Sequence, residues 1–135
     1  MLLLSFLTVL SLSVCRFNSL YQQMFDNCRN HNEINLSKIT DFDWDIAYID
    51  RQYYGSGEII KEKYQIEGEF KHLETDFSSR IAFCKEGKLV YDIKLNNHYI
   101  EIDSSNEIIY IDTIFKVSWI TVDDQNENKL LLSLY

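Results

Sequence analysis

The chain has 135 residues, of which 46% are hydrophobic and 14% aromatic, and it carries 21 acidic against 13 basic side chains for a net charge of −8. That length allows one domain plus a short leader, and the composition is that of a globular chain and not a disordered one. The acidic balance, with no Lys/Arg stripe to interrupt it, argues against nucleic acid as a partner and is compatible with another protein of basic surface.

Leu2 to Val14 form an apolar run of thirteen residues. As a helix it would span about 20 Å, short of the ~30 Å of a bilayer core. This length suits the hydrophobic region of a signal peptide, with Ser11 and Ser13 as small residues before a cut after Ser13. "LSVC" is also a near match to a lipobox, which makes Cys15 a candidate for lipidation, although Val14 stands where Gly, Ala or Ser is customary. The first charged side chain is Arg16, so no basic residues precede the run. A start further upstream would lengthen it into a membrane anchor. A cytosolic domain with a buried N-terminal helix is the weaker alternative. The expected organisation is a signal peptide or membrane anchor over 1–15, an amphipathic helix and connecting segment over 16–40, and an α+β domain over 41–135. The expected location is outside the cytoplasmic membrane, secreted or tethered.

Phe17, Leu20, Tyr21, Met24, Phe25 and Cys28 recur at helical spacing, which predicts about three turns with one apolar face. "NCRNHNE" reads as a loop, and "INLSKI" as a short extended or turn segment. Cys28 and Cys84 are a candidate disulfide; closing so long a loop would contribute about 4 kcal/mol in the chain-entropy account. Two unpaired, partly buried thiols fit the sequence equally well.

"YGSGEIIKEKYQI" predicts a short helix: the glycines permit a turn, Ser56 can cap, and Glu58 suits the first turn. Neither a phosphate loop nor a nucleophile elbow is present, because the flanking residues both motifs require are missing. Tyr53 and Tyr54, beside this turn, are candidates for an exposed protein-binding surface or for a small core between helix and sheet.

From Ser79 the pattern changes to period two. "RIAFCK" and "KLVYDIKL" flank Glu86–Gly87, a two-residue hairpin turn. The second strand is expected to place Leu89, Tyr91, Ile93 and Leu95 on one face. "HYIEID", "EIIYID", "TIFKVSWITV" and "KLLLSLY" follow, and in "TIFKVSWITV" Phe115, Val117, Trp119 and Thr121 share a side. Short connections imply antiparallel neighbours. The expected fold is α+β: an antiparallel meander of five or six strands with one or two short helices packed on it.

"TDFDWDIAYID", Thr40 to Asp50, alternates aspartate with aromatic residues. A calcium loop starting at Asp41 fails, because Ile46 and Gln52 stand where glycine and glutamate are required. As a strand, the run puts Asp43 and Asp45 on an outer face, with Phe42, Trp44, Ile46 and Tyr48 pointing to the core. The acidic outer face is a candidate interaction surface. His31, His72 and His98 have no metal spacing, and no C-x-x-C occurs, so no metal, cofactor or catalytic residue is assigned. A Cys84–His98 couple is weaker than a packed thiol.

"ITDFDWDIAYID", "YGSGEIIKEKY" and "KLVYDIKL" together resemble a loosely defined group of small bacterial proteins with an N-terminal hydrophobic segment and a D-F-D-W-D-like strand. The resemblance covers about Ile34 to Leu95 and implies an exported or membrane-anchored protein. It supplies no active-site residue. A compact acidic domain behind a leader, with no assembled catalytic set and no cofactor motif, reads as a non-enzymatic, protein-binding domain of the cell envelope. The alternatives are an immunity-like inhibitor of a basic toxin or hydrolase, and a small hydrolase working through aspartates of the 41–50 run.

Overall fold

The computed structural model of the chain describes residues 20–51, 57–73, 78–103, 107–122 and 127–134. Expectations for the leader, Cys15, Tyr53 and Tyr54 lie outside these residues. Within them, helix α1 (Leu20–Asn30) is followed by β1 (Glu33–Asn35), a 3-10 turn (Leu36–Lys38), β2 (Ile46–Asp50) and helix α2 (Glu58–Tyr64). Then come β3 (Ser78–Lys85), β4 (Lys88–Asn96), β5 (Ile100–Asp103), β6 (Ile108–Tyr110), β7 (Ile114–Val122) and β8 (Glu127–Leu134).

The fold is α+β, but the strands make two four-stranded sheets and not one meander: β1-β7-β8-β5 and β4-β3-β2-β6. One pair, β5 with β8, is parallel. The chain leaves β5 to add β6 to the other sheet, then returns as β7 and inserts β8 between β7 and β5. The short-connection rule governs strands adjacent in sequence; β5 and β8 are not.

Apolar residues from both sheets and from α1 form one core. The α1 stripe buries Leu20, Met24 and Cys28 in this core, where the helix lies against β4 and β1. From residue 20 onward, the helix and connecting segment therefore share the core of the rest of the domain. Helix α1 also runs further than its loop-like ending suggested, through Asn30, where His31 Nδ1 lies 3.0 Å from the Asn27 carbonyl oxygen. Arg29 in the last turn complements the helix dipole.

The hairpin at Glu86–Gly87 forms as expected. Both residues have positive φ, 50° and 79°, the signature of a type I′ turn whose twist matches that of its strands. One register expectation fails on β4: Phe83 pairs with Tyr91 and Cys84 with Leu89, leaving Val90 as an extra residue. This bulge takes Leu89 off the face that Tyr91, Ile93 and Leu95 share. Helix α2 forms, yet its N-cap is Gly57, in the left-handed region at φ 73°, with no side-chain cap bond. It closes on Gln65, also left-handed, and Ile66 N–H donates to Lys61 O across the last turn at 2.9 Å.

Candidate functional site

The aspartate run departs from its expected strand. Regular pairing starts only at Ile46, and residues 40–45 are irregular. Trp44 goes inward as expected, 1% exposed, with its indole N–H donating to Thr40 Oγ1 at 2.9 Å. Its ring meets Phe83 edge-on at 5.1 Å, and Phe42 contacts both Phe83 and Tyr91. The inward face then changes phase: within β2 it is Ala47 and Ile49 that are buried in the core, not Ile46 and Tyr48. The odd step from Trp44 to Ala47 is open only to a backbone not yet committed to a pleat, and the irregular segment supplies it.

Asp43 and Asp45 remain on the outside with a structural task. Asp43 Oδ2 lies 3.4 Å from Lys85 Nζ, and Asp45 Oδ2 accepts the Glu86 N–H at 3.0 Å. The Asp45 N–H donates in turn to Cys84 O at 2.9 Å. Two carboxylates thus hold the β3–β4 turn.

The phase change has a surface consequence. Ile46 pairs with Tyr110 and Tyr48 with Ile108, so these four side chains share the outer face of the second sheet. Helix α2 lays Tyr64 over Tyr48, ring centroids 4.3 Å apart and nearly parallel. Tyr64 Oη donates to Glu107 Oε2 at 2.6 Å, and Lys63 Nζ reaches the same oxygen at 2.6 Å. These two bonds lower the Glu107 pKa below the usual carboxylate range, and the bond to Glu107 raises those of Tyr64 and Lys63. Burial, then the nearby Cys84 and Asp45, raises that of Tyr48. Tyr110, 55% exposed, stands beside the stack, with Ile111 and Ile59 also exposed. The result is a tyrosine surface with Asp45 and Glu107 close by. Sequence reasoning placed candidate tyrosines at 53 and 54 and read Tyr48 as core. The signal for Tyr48, Tyr64 and Tyr110 lay in the strand phase, which the aspartate alternation disguised.

Beneath α2, the same outer face of the sheet carries a buried charge that went unread. Arg80 is fully buried on β3, paired in register with Asp50, and its Nε lies 3.7 Å from Asp92 Oδ2. It donates to the Lys71 carbonyl and sits 5.1 Å over the Phe70 ring. Asp92 also accepts the Lys71 N–H at 3.0 Å. Burial lowers the Arg80 pKa, opposed by the charges of Asp92, Asp50 and Glu58. This arrangement ties the 66–73 loop to the sheet.

Cys28 and Cys84 are free and buried, with no bridge between them. Cys28 faces the core, whereas strand alternation places Cys84 with Arg80 and Ala82 on the opposite face of β3 from Ile81 and Phe83. Burial raises their thiol pKa values to about 12 and about 11. His98 lies beyond Asn96, which pairs with Ser78; that is six residues of strand from Cys84, on the order of 20 Å, so the two form no couple. Among the described residues no three His, Cys, Asp or Glu side chains gather as metal ligands, and no helix is long and apolar enough to cross a membrane. An open pocket of about 310 Å³ lies at the end of α1 between His31, Glu33, Asn35 and Lys38. Asn35 is occupied there in capping the 3-10 turn through Ser37 N–H.

The chain matches no protein-family model, no curated protein and no solved structure.

Proposed function

We propose that this chain is a non-enzymatic binding domain of the cell envelope, exported or tethered through its N-terminal segment, that recognises another protein of basic surface. The observation that carries this reading is the Tyr48–Tyr64 stack beside exposed Tyr110, with carboxylates at hand. Tyrosine offers a large, rigid contact area and a polar tip, and it is enriched at the centres of protein interfaces. Asp45 and Glu107 near the rings, in a chain of net charge −8, favour a cationic partner and steer its approach. The apolar run before Cys15 supports export, by cleavage, anchoring or lipidation.

Charge also supports a second reading of the same surface, an immunity-like inhibitor that covers a basic toxin or hydrolase. Its gene would then lie beside that of its target.

The test is affinity capture from an envelope extract with the intact chain and with a Tyr110→Lys variant. A specific basic protein retained by the former and lost by the latter is expected. Retention of the same proteins by both chains would remove the tyrosine surface from consideration.

A further inference from the structure

We propose that a second copy of this chain docks on the open edge of β7, extending the first sheet antiparallel across a two-fold axis at Ile120. The site lies on the sheet opposite the tyrosine surface and is independent of it.

Strand β7 runs from Ile114 to Val122, but β1 covers only its beginning, pairing Asn35, Ile34 and Glu33 with Ile114, Phe115 and Lys116. One more bond follows, from Val117 N–H to Asn32 O at 2.8 Å. Backbone groups alternate between the two edges of a strand. Since Val117 faces β1, Trp119 and Thr121 present their N–H and C=O groups to that same edge, past the end of β1. Among the described residues no strand pairs with them there. The opposite edge is fully engaged by β8 through Val122.

Natural edges are protected by charge, proline, glycine or bulges. "SWITV", Ser118 to Val122, has none of these, and its last four residues are strong strand formers. A second copy is the occupant these residues favour. The chain as a whole is strongly acidic, so two copies repel over most surfaces, yet this segment brings no charge to the contact. An axis at Ile120 sets Trp119 of each copy opposite Thr121 of the other, both with backbone groups facing across. Each pair can then exchange two hydrogen bonds, and an aromatic residue meets a β-branched one, a favourable cross-strand pair. Trp119 lies on the inner face of its sheet, opposite buried Leu130, yet is 53% exposed. Pairing would cover it.

The contact is short, so the association is weak and concentration-dependent. The experiment is sedimentation velocity on the intact chain over about a hundredfold range of concentration, read beside amide hydrogen exchange at its two ends. A rising weight-average mass is expected, with Trp119 and Thr121 amides gaining protection together at the high end. Thr121→Pro, which removes only the outward N–H, and Trp119→Lys, which charges the edge, should each keep the chain monomeric with an unchanged circular dichroism spectrum. A monomer at every concentration would overturn the proposal. So would a dimer in which those two amides exchange as fast as in the dilute sample, and this reading needs no variant that folds.

Discussion

Gly57 and Arg80 sit so close that a Cβ on Gly57 would lie 2.1 Å from Arg80 Nη1. Gly57 also has φ 73°, a conformation that costs any side chain. The guanidinium cannot swing away freely, because it is fully buried against Phe70, Asp92 and the Lys71 carbonyl. Gly57→Ala should therefore destabilise by about 2–4 kcal/mol, strain and overpacking together. Gly87 supplies the control: its φ is 79°, but a Cβ there meets nothing within 4 Å. Gly87→Ala should cost only about 1 kcal/mol. Urea unfolding of both variants checks the contrast, and equal losses would show that the Arg80 contact is relieved cheaply.

The Arg80–Asp92 pair makes a second demand on the fold. Asp92→Asn keeps the shape and an acceptor for Lys71 N–H, but it removes a counter-charge 3.7 Å from the Nε of a buried guanidinium. A loss of about 2–3 kcal/mol is expected, most of it the cost of leaving that charge undercompensated. Arg80→Met in the Asp92→Asn background should recover part of the loss. A double variant no more stable than Asp92→Asn alone would show that charge compensation is not what the pair supplies.

The thiols bear on alkaline stability. Folded Cys28 and Cys84 ionise near 12 and 11 against an ordinary value of 9.0. Below about pH 9 both are protonated in either state, and their contribution is fully present. As pH rises from there toward 11 and 12, the unfolded chain releases its protons first, and that contribution is lost. Tyr21, Tyr48 and Tyr64, also raised, act in the same direction. Cys28→Ala and Cys84→Ala should each flatten the decline of stability above about pH 9, whatever they cost at neutral pH. Cys28 and Cys84 of the native protein should also resist alkylation near pH 8 and react fully in denaturant, read peptide by peptide; rapid native alkylation at either position would contradict its burial.

The two tryptophans should report separately. Trp44 is packed among Phe83 and its neighbours, whereas Trp119 stands half in solvent. Trp119→Phe should shift the emission to the blue and protect it from a soluble quencher, while Trp44→Phe should do the reverse. Trp44→Phe should also cost about 1–3 kcal/mol, because the Thr40 hydroxyl loses its indole donor and the ring leaves a void.

Local patterns were legible where geometry is local. The α1 stripe, the Glu86–Gly87 turn and the period-two strands each depend on neighbours within a few residues. The phase of β2 was not legible, because an irregular backbone between Thr40 and Ile46 let Trp44 and Ala47 both turn inward. The Val90 bulge was hidden for the same reason: one inserted residue leaves no mark on composition. Nothing within "SSRIAFCK" itself marks Arg80 as buried; the 66–73 loop and the start of α2, distant in sequence, cover it. The division into two sheets depends on β5 choosing β8, about 30 residues further on, over the strand it follows.

The place of β8 governs how this molecule comes together in time. It is the middle member that joins β7 to β5, and β5 touches no other strand of its sheet. A chain stopped short of residue 127 would hold β7 and β5 as separate strands, with Phe115, Ile100 and Ile102 deprived of the leucines that face them. The part of the core carried by this sheet therefore closes only when β8 takes its place between β7 and β5. Until it happens, an unfoldase or a translocation channel meets a chain it can still thread; afterwards it meets a closed domain.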